Sequence, residues 1–441
     1  MTSMWPYYPE LLEQPVPRYT SYPTAAEFHD GIGEKAQARA LDAARGDLSL
    51  YVHIPYCEKI CWYCGCNTGA ANRGHRLSAY LDALDEEISL VAPMLNEAGP
   101  IRRIAFGGGS PNAISPIAFI RLFDRLITAF PLDNARLSIE IDPRGFGNDW
   151  ARALGAVGAT HVSMGVQTFS PDIQAAIGRI QPVGEIARAL DALRQRGVES
   201  VNFDLMYGLP RQGWAELEDT LERTLAMRPE RIALFGYAHV PHLLPRQKRI
   251  DASILADQAQ RFEMAARGHD YLTAAGYVPV GFDHFALPQD SMAIAAQNGQ
   301  LRRNFQGFTD DQSEQLIGLG ASSISIFPDA IIQNEKNAGR YRMRMSQGQL
   351  AGVGGVLRTA EDRARGMIIE DILCHRPTDI HLDGKERLIM GQLQPFIDRD
   401  LISLRGTALI PRDSLRPYAR SLAALFDNYR NHVLNRFSNA V

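Results

Sequence analysis

Four of the chain's five cysteines, Cys57, Cys61, Cys64 and Cys66, fall within ten residues, and only Cys374 stands apart. Thiolates set this close bind soft metals or iron–sulfur clusters. The run Cys57-Glu-Lys-Ile-Cys61-Trp-Tyr-Cys64 has the spacing C-x3-C-x2-C. Three thiolates can hold three irons of a cubane and leave the fourth iron open to an external ligand. Zinc is the competing reading, because tetrahedral thiolate sites are common. Zinc patterns, however, usually separate two C-x2-C pairs by a longer loop, and no second pair exists here. Cys66 is either a fourth ligand or free of the metal, and spacing alone leaves both open. An odd number of cysteines in a reducing compartment argues against a disulfide framework. Cys374 follows the apolar-rich run 367–373 and reads as a buried, inert thiol.

Other residues carry chemistry only by position. Gly107-Gly108-Gly109-Ser110-Pro111 either lets backbone approach a ligand closely or makes a tight turn. Glu140 either accepts hydrogen bonds from a ligand or pairs with a cation such as Arg144. Asp204 lies in an otherwise apolar run, and a buried carboxylate needs a partner, either a ligand or Arg179. His161 and Met164 read as core or rim residues. The basic run Arg246-Gln247-Lys248-Arg249 either holds an anionic small molecule or is a solvated loop.

These residues need a scaffold. Strand-like runs at Leu48 to Ile54, Ile101 to Phe106, Leu137 to Ile141, His161 to Val166, Val201 to Met206 and Ile232 to Ala238 are short and rich in apolar or β-branched residues. Amphipathic patterns lie between them, such as Leu81, Leu84, Ile88 and Val91. Ser115-Pro116 predicts an N-cap and a proline in the first turn of a helix, and Gly197 a helix stop. Alternation of this kind predicts right-handed β–α–β units and a parallel sheet. Six units suit a partial (β/α)6 barrel of α/β class. In such barrels the site lies where strands run out into loops. The glycine run, Glu140 and Asp142, Gln167, Asp204 and Tyr237-Ala238-His239 all fall at that rim or in the strands leading to it. Beyond residue 240 the sequence predicts a helix over 256–275, a strand over 277–282, a turn at 304–308 leading to a helix, and a strand over 323–327. From about residue 340 it is mainly helical in character.

The chain has 441 residues, 45% of them apolar and 22% charged, with a formal net charge of −4. This composition suits two or three soluble domains and gives no global reason to expect nucleic acid or an anionic membrane. No basic stretch followed by an apolar run opens the chain, and no segment approaches the roughly 18 apolar residues of a membrane span. A cytoplasmic monomer is the expectation.

By its cysteine triad the chain resembles the radical S-adenosylmethionine (SAM) family. Further stretches resemble the oxygen-independent coproporphyrinogen III oxidases within it: Pro17-Arg18-Tyr19-Thr20-Ser21-Tyr22-Pro23-Thr24-Ala25, His53-Ile54-Pro55-Tyr56-Cys57, Cys64-Gly65-Cys66, Phe203-Asp204-Leu205-Met206-Tyr207-Gly208-Leu209-Pro210, Tyr237-Ala238-His239-Val240-Pro241, Asp283-His284-Phe285-Ala286 and Asn304-Phe305-Gln306-Gly307-Phe308. The match spans roughly residues 15 to 380. It implies a radical SAM partial barrel and its extension over 46–340. An N-terminal extension over 1–45 would cover the active site, with Tyr19-Thr20-Ser21 as the cover, and a mainly helical or winged-helix-like domain would occupy 341–441.

It also implies one 4Fe–4S cluster on Cys57, Cys61 and Cys64, with Cys66 free near the substrate, and two molecules of SAM. Tyr51, Gly108, Glu140 and Ile324 match contacts to the cluster-bound molecule. Tyr63, Gly109, Ser110, Gln167, Arg179, Asp204 and Ala238 match contacts to the second. Tyr63 stands for a phenylalanine of the family, and Ser110 for a threonine. The implied activity is oxidative decarboxylation of two propionates of coproporphyrinogen III to vinyls, with an electron donor such as a flavodoxin or ferredoxin. A haem chaperone and a haem-modifying radical SAM protein share the fold and are the alternatives. The Arg-Tyr-Thr-Ser-Tyr-Pro run and Cys66 favour the oxidase.

Overall fold

The computed structural model describes residues 5–71, 74–95, 97–380 and 386–430. Residues 1–4 of the expected N-terminal extension and 431–441 of the expected C-terminal domain lie outside the described residues, as do 381–385. Six strands follow one another through the first half: β1 (Leu48–Ile54), β2 (Ile101–Gly108), β3 (Leu132–Ile141), β4 (His161–Gln167), β5 (Ser200–Tyr207) and β6 (Arg231–Gly236). Each pairs in parallel with the next. Helices cover the connections, among them α1 (Gly74–Val91), α2 (Pro116–Ala129), α3 (Asn148–Ala156), α4 (Val183–Arg194) and α5 (Trp214–Met227). The Ser115 side chain accepts from the Ala118 amide at 3.2 Å and Pro116 opens α2, as its sequence predicts. Gly197, at φ 84°, turns the chain after α4.

β1 is buried at all seven positions. Fully burying one such aliphatic side chain stabilises the fold by roughly 1.5–3 kcal/mol. On β5, by contrast, buried Val201, Phe203 and Leu205 alternate with half-buried Asn202, Asp204 and Met206. The period of two sends one set under the helices and the other into the barrel. That is how a carboxylate comes to sit inside an apolar strand.

After β6 come α6 (Gln258–Ala274), β7 (Val278–Val280) and β8 (His284–Ala286), which extends the sheet antiparallel to β6. The segment 309–322 carries a strand, β9 (Gln315–Leu319), where the sequence predicts a helix. Gln-Leu-Ile-Gly-Leu is a short apolar run buried at every position, and such runs have no diagnostic period. β9 pairs in parallel with β1, so β1 has parallel neighbours on both sides. β10 (Ile324–Phe327), β11 (Ala330–Asn334) and β12 (Gly352–Leu357) continue the sheet antiparallel to twelve strands. The C-terminal part is helical, with Ala360–Leu373 and Glu386–Asp398, but it also holds a small antiparallel sheet of Thr378–Asp379, Ile402–Arg405 and Ala408–Pro411.

The N-terminal segment lies across both parts. Arg303 donates to the carbonyls of Arg18 and Tyr19. The Tyr19 hydroxyl donates to Asp427 at 3.0 Å, and the Tyr418 hydroxyl bridges the Tyr8 amide and the Pro6 carbonyl. Among the described residues no helix is long and apolar enough to cross a membrane.

Candidate active site

The cysteine loop leaves the C-terminal end of β1. Cys57 and Cys64 are partly exposed, Cys61 is buried, and Cys66 is exposed. Four donors reach sulfur, the Cys66 amide lying 3.4 Å from Cys64 Sγ. Thr68 Oγ1 lies 3.2 Å from Cys57 Sγ, and Arg144 and Arg179 each place a guanidinium nitrogen 3.3 Å from Cys61 Sγ. Hydrogen bonding with Cys66 pulls the Cys64 thiol down to about 6, and burial pushes Cys57 up to about 11.

Asp142, just past the end of β3, ties this corner together. It binds Arg144 at 2.5 Å and Arg179 at 3.3 Å. Burial opposes its charge, but Arg179 and Arg144 outweigh burial and hold its carboxyl below the usual range. Arg179 also donates to the Gly165 carbonyl at 2.6 Å and to Gln181 at 3.0 Å. It therefore links the cysteine loop to the rim of β4.

The glycine run closes on the loop from the other side. The Gly109 amide donates to Ile54 O, and the Ser110 amide to Tyr56 O. Gly108 has φ +115°, and a Cβ there would fall 2.5 Å from the His53 ring. Only glycine fits such a position without displacement. Ser110 Oγ accepts from the Asp142 amide at 3.1 Å. The hydroxyl that stands for the family threonine thus braces the strand end that carries Asp142.

Glu140 points inward on β3 and accepts from the Gly108 amide at 3.3 Å. Arg144, its candidate partner in the sequence, binds Asp142 instead. Burial, then repulsion from Asp204, pushes Glu140 up to about 7. Asp204 accepts from Ser163 at 3.0 Å and from Asn202 at 2.7 Å. Its carboxyl is raised by burial, which those bonds relieve in part. Arg179 acts on it only through space.

Tyr51 is buried on β1, its hydroxyl 3.0 Å from His53 Nδ1, and its ring meets Phe305 edge-on at 4.7 Å. It pairs with Gly318 of β9, against which the Ile324 backbone packs. Gln167 ends β4 at φ 66°, a left-handed backbone that turns the chain out at the rim. Gln247 donates to the carbonyls of Tyr63 and Ala238, joining those two positions. Tyr63 also packs beside Ile173 and Tyr237. These contacts join Gly108 to Glu140, Tyr63 to Ala238, and Arg179 to Cys61 and Asp142. Asp142, Arg144, His53 and Thr68 join them without having been singled out as site residues. For Asp142 the signal was its place two residues after Glu140 at the same strand end.

Residues 51–224 match the family model described as the Radical SAM superfamily. Over 440 aligned residues the chain is 40% identical to the oxygen-independent coproporphyrinogen III oxidase of Bradyrhizobium diazoefficiens, covering 97% of this chain and 98% of the relative. The anaerobic coproporphyrinogen III oxidase 1 of Cereibacter sphaeroides is 38% identical, with 95% of each chain covered. The solved structure of coproporphyrinogen III oxidase from Escherichia coli, described as a radical SAM enzyme, superposes with a TM-score of 0.90 at 33% identity, covering 96% of this chain and 99% of that one. This chain belongs to the oxygen-independent coproporphyrinogen III oxidases.

As a radical SAM enzyme of that family it uses a 4Fe–4S cluster and SAM. The loop suits such a cluster. Thiolate is the ligand form, and Arg144, Arg179 and Thr68 direct hydrogen bonds at two of the three sulfurs, which stabilises that form. Among the described residues no three His, Cys, Asp or Glu side chains close on a single ion. A cubane takes each thiolate on a different iron.

Proposed function

We propose that this chain converts coproporphyrinogen III to protoporphyrinogen IX by oxidatively decarboxylating two propionate side chains to vinyls, in anaerobic tetrapyrrole synthesis. The observation that carries this reading is the near full-length similarity to coproporphyrinogen III oxidases, 98% of the Bradyrhizobium diazoefficiens enzyme being covered. Held by Cys57, Cys61 and Cys64, a cluster with SAM would supply 5′-deoxyadenosyl radical chemistry able to take a β-hydrogen from a propionate. Carbon dioxide then leaves, and one electron passes to an acceptor.

The chain's own residues bind and orient. Cys57, Cys61 and Cys64 hold the cluster. Tyr51, Gly108, Glu140 and Ile324 face the cluster-bound SAM. Tyr63, Gly109, Ser110, Gln167, Arg179, Asp204 and Ala238 face a second molecule of it. Gly108 gives its ligand an open approach, and the carboxylates of Glu140 and Asp204 accept from ribose hydroxyls or an ammonium group. His53, held neutral by burial at about 4, fixes the Tyr51 hydroxyl. Of the described residues, those up to 45 cover the site, those from 46 to 340 form the barrel and its extension, and those from 341 to 430 form a mainly helical or winged-helix-like domain. A cytoplasmic monomer fed by a flavodoxin or ferredoxin completes the reading.

The test is anaerobic. The protein is reconstituted with iron and sulfide, reduced, and given SAM and coproporphyrinogen III, and products are followed by mass spectrometry. Loss of two carbon dioxide units with formation of 5′-deoxyadenosine is expected. Cleavage of SAM without decarboxylation would move the substrate elsewhere. Binding of intact haem without turnover would favour a haem chaperone.

A further inference from the structure

A cavity opens beside the barrel mouth between β6, α6 and the segments around residues 18–20, 303–307 and 416–420. Its wall carries five guanidinium groups, Arg18, Arg261, Arg303, Arg416 and Arg420, and one carboxylate, Asp283. Arg416 is already paired with Asp413 at 3.3 Å, and Asp283 is engaged by His284 Nδ1 at 2.6 Å. Arg261 makes no ion pair among the described residues, and its Nε is buried without a partner. Arg303 reaches only backbone carbonyls and the Phe308 and Phe282 rings, and its Nη1 is likewise buried and unpartnered. Arg18 donates only to the Gly236 carbonyl, at 3.4 Å.

The cationic wall is therefore under-neutralised. Buried charge is costly unless paired, so a wall built this way awaits anions. The planar guanidinium fork matches a carboxylate in two bonds. Phe235 and Phe305 add apolar surface to the same cavity.

The cavity does not end there. It shares Phe235, His284 and Gln306 with the barrel interior, which is lined by Glu140 and Asp204. The unpaired guanidinium groups lie at the Arg18 end of this space, whereas in the barrel interior Arg103 and Arg231 are already paired with Asp310 and Asp290, and Glu140 and Asp204 add carboxyl groups. A polycarboxylate entering it is turned one way round.

Building on the function proposed above, we propose that Arg18, Arg261 and Arg303 bind the propionate carboxylates of coproporphyrinogen III that are not undergoing reaction. They thereby set which edge of the macrocycle faces the cysteine loop. Thr20 lines the same cavity, so the N-terminal segment completes the pocket as well as covering it.

The test compares reconstituted wild-type protein with Arg261→Gln and Arg18→Gln under anaerobic turnover, with KM measured separately for coproporphyrinogen III and for SAM. Loss of one charged hydrogen-bonding partner predicts a rise of about tenfold in the porphyrinogen KM. Iron content and the SAM KM stay at wild-type values, and Arg261→Lys recovers part of the loss. Arg18 is exposed, so its variant reports even where Arg261→Gln folds poorly. An unchanged porphyrinogen KM in both variants overturns the assignment. A rise in the SAM KM alone also overturns it, because the arginines would then serve the carboxylate of the methionine group. Wild-type turnover separates the two readings: absence of decarboxylation by wild-type protein defeats the proposed function and this assignment together, whereas wild-type turnover with unmoved variants defeats this assignment only.

Discussion

Arg179 stands between Cys61 and Asp142, 3.3 Å from the sulfur and 3.3 Å from a carboxylate oxygen. Its side chain is almost wholly buried. Removing one member of a buried charge pair costs about 3–5 kcal/mol, because the other is left uncompensated. Arg179→Gln is expected to lose stability on that scale in urea denaturation and to bind less iron after reconstitution. Wild-type iron content and stability would show that Arg144 alone neutralises Asp142.

Gly108→Ala places a methyl group 2.5 Å from the His53 ring at a left-handed backbone position. The His53 ring is buried and held by Tyr51 and Ser322, so either the ring or the glycine loop must shift. Binding of SAM, followed by calorimetry, is expected to weaken about tenfold or more. Unaltered binding would place the ligand away from this glycine.

Cys66→Ser is expected to keep the iron and acid-labile sulfide of the wild type, whereas Cys57→Ser, Cys61→Ser or Cys64→Ser each loses most of both. Loss of the cluster in Cys66→Ser would make that residue a fourth ligand and close the open iron site.

Glu87 is fully buried on α1, where it accepts from the Gly320 amide, the Tyr341 hydroxyl and the Asn334 amide. Burial pushes its carboxyl up to about 7 in the fold, from an ordinary value of 4.5. The stability it contributes is therefore present below pH 4.5 and is lost as pH rises through about 7. Melting temperatures compared across that window should fall more for wild type than for Glu87→Gln. Parallel pH profiles would show that this carboxyl titrates alike in folded and unfolded chains.

What could be read from the sequence was what is local. The six barrel strands were legible because each is a short apolar run with turn residues behind it, and the cysteine triad because ligand spacing is set within one loop. β9 was not, since Gln315 to Leu319 carries no period and finds its partner at β1, far away in sequence. The protein-side partners of Glu140 and Asp204 were not legible for a related reason. Both lie on strands, where cross-strand register decides neighbours, and the register sets Asp204 opposite Gly165 and within reach of Ser163, not on Arg179. The arginine-lined cavity had no sequence signal at all. Its members come from residues 18, 261, 303 and 420, while the conspicuous basic run at 246–249 lies elsewhere.

The clasp between the two ends of the chain has a consequence for biogenesis. A ribosome delivers the cysteine loop early, yet Tyr19 is anchored by Asp427 and Tyr8 by Tyr418. Those two anchors of the N-terminal segment form only after residues 418 and 427 have been made. The N-terminal segment, first in the sequence, is therefore among the last parts of the fold to gain its long-range side-chain contacts.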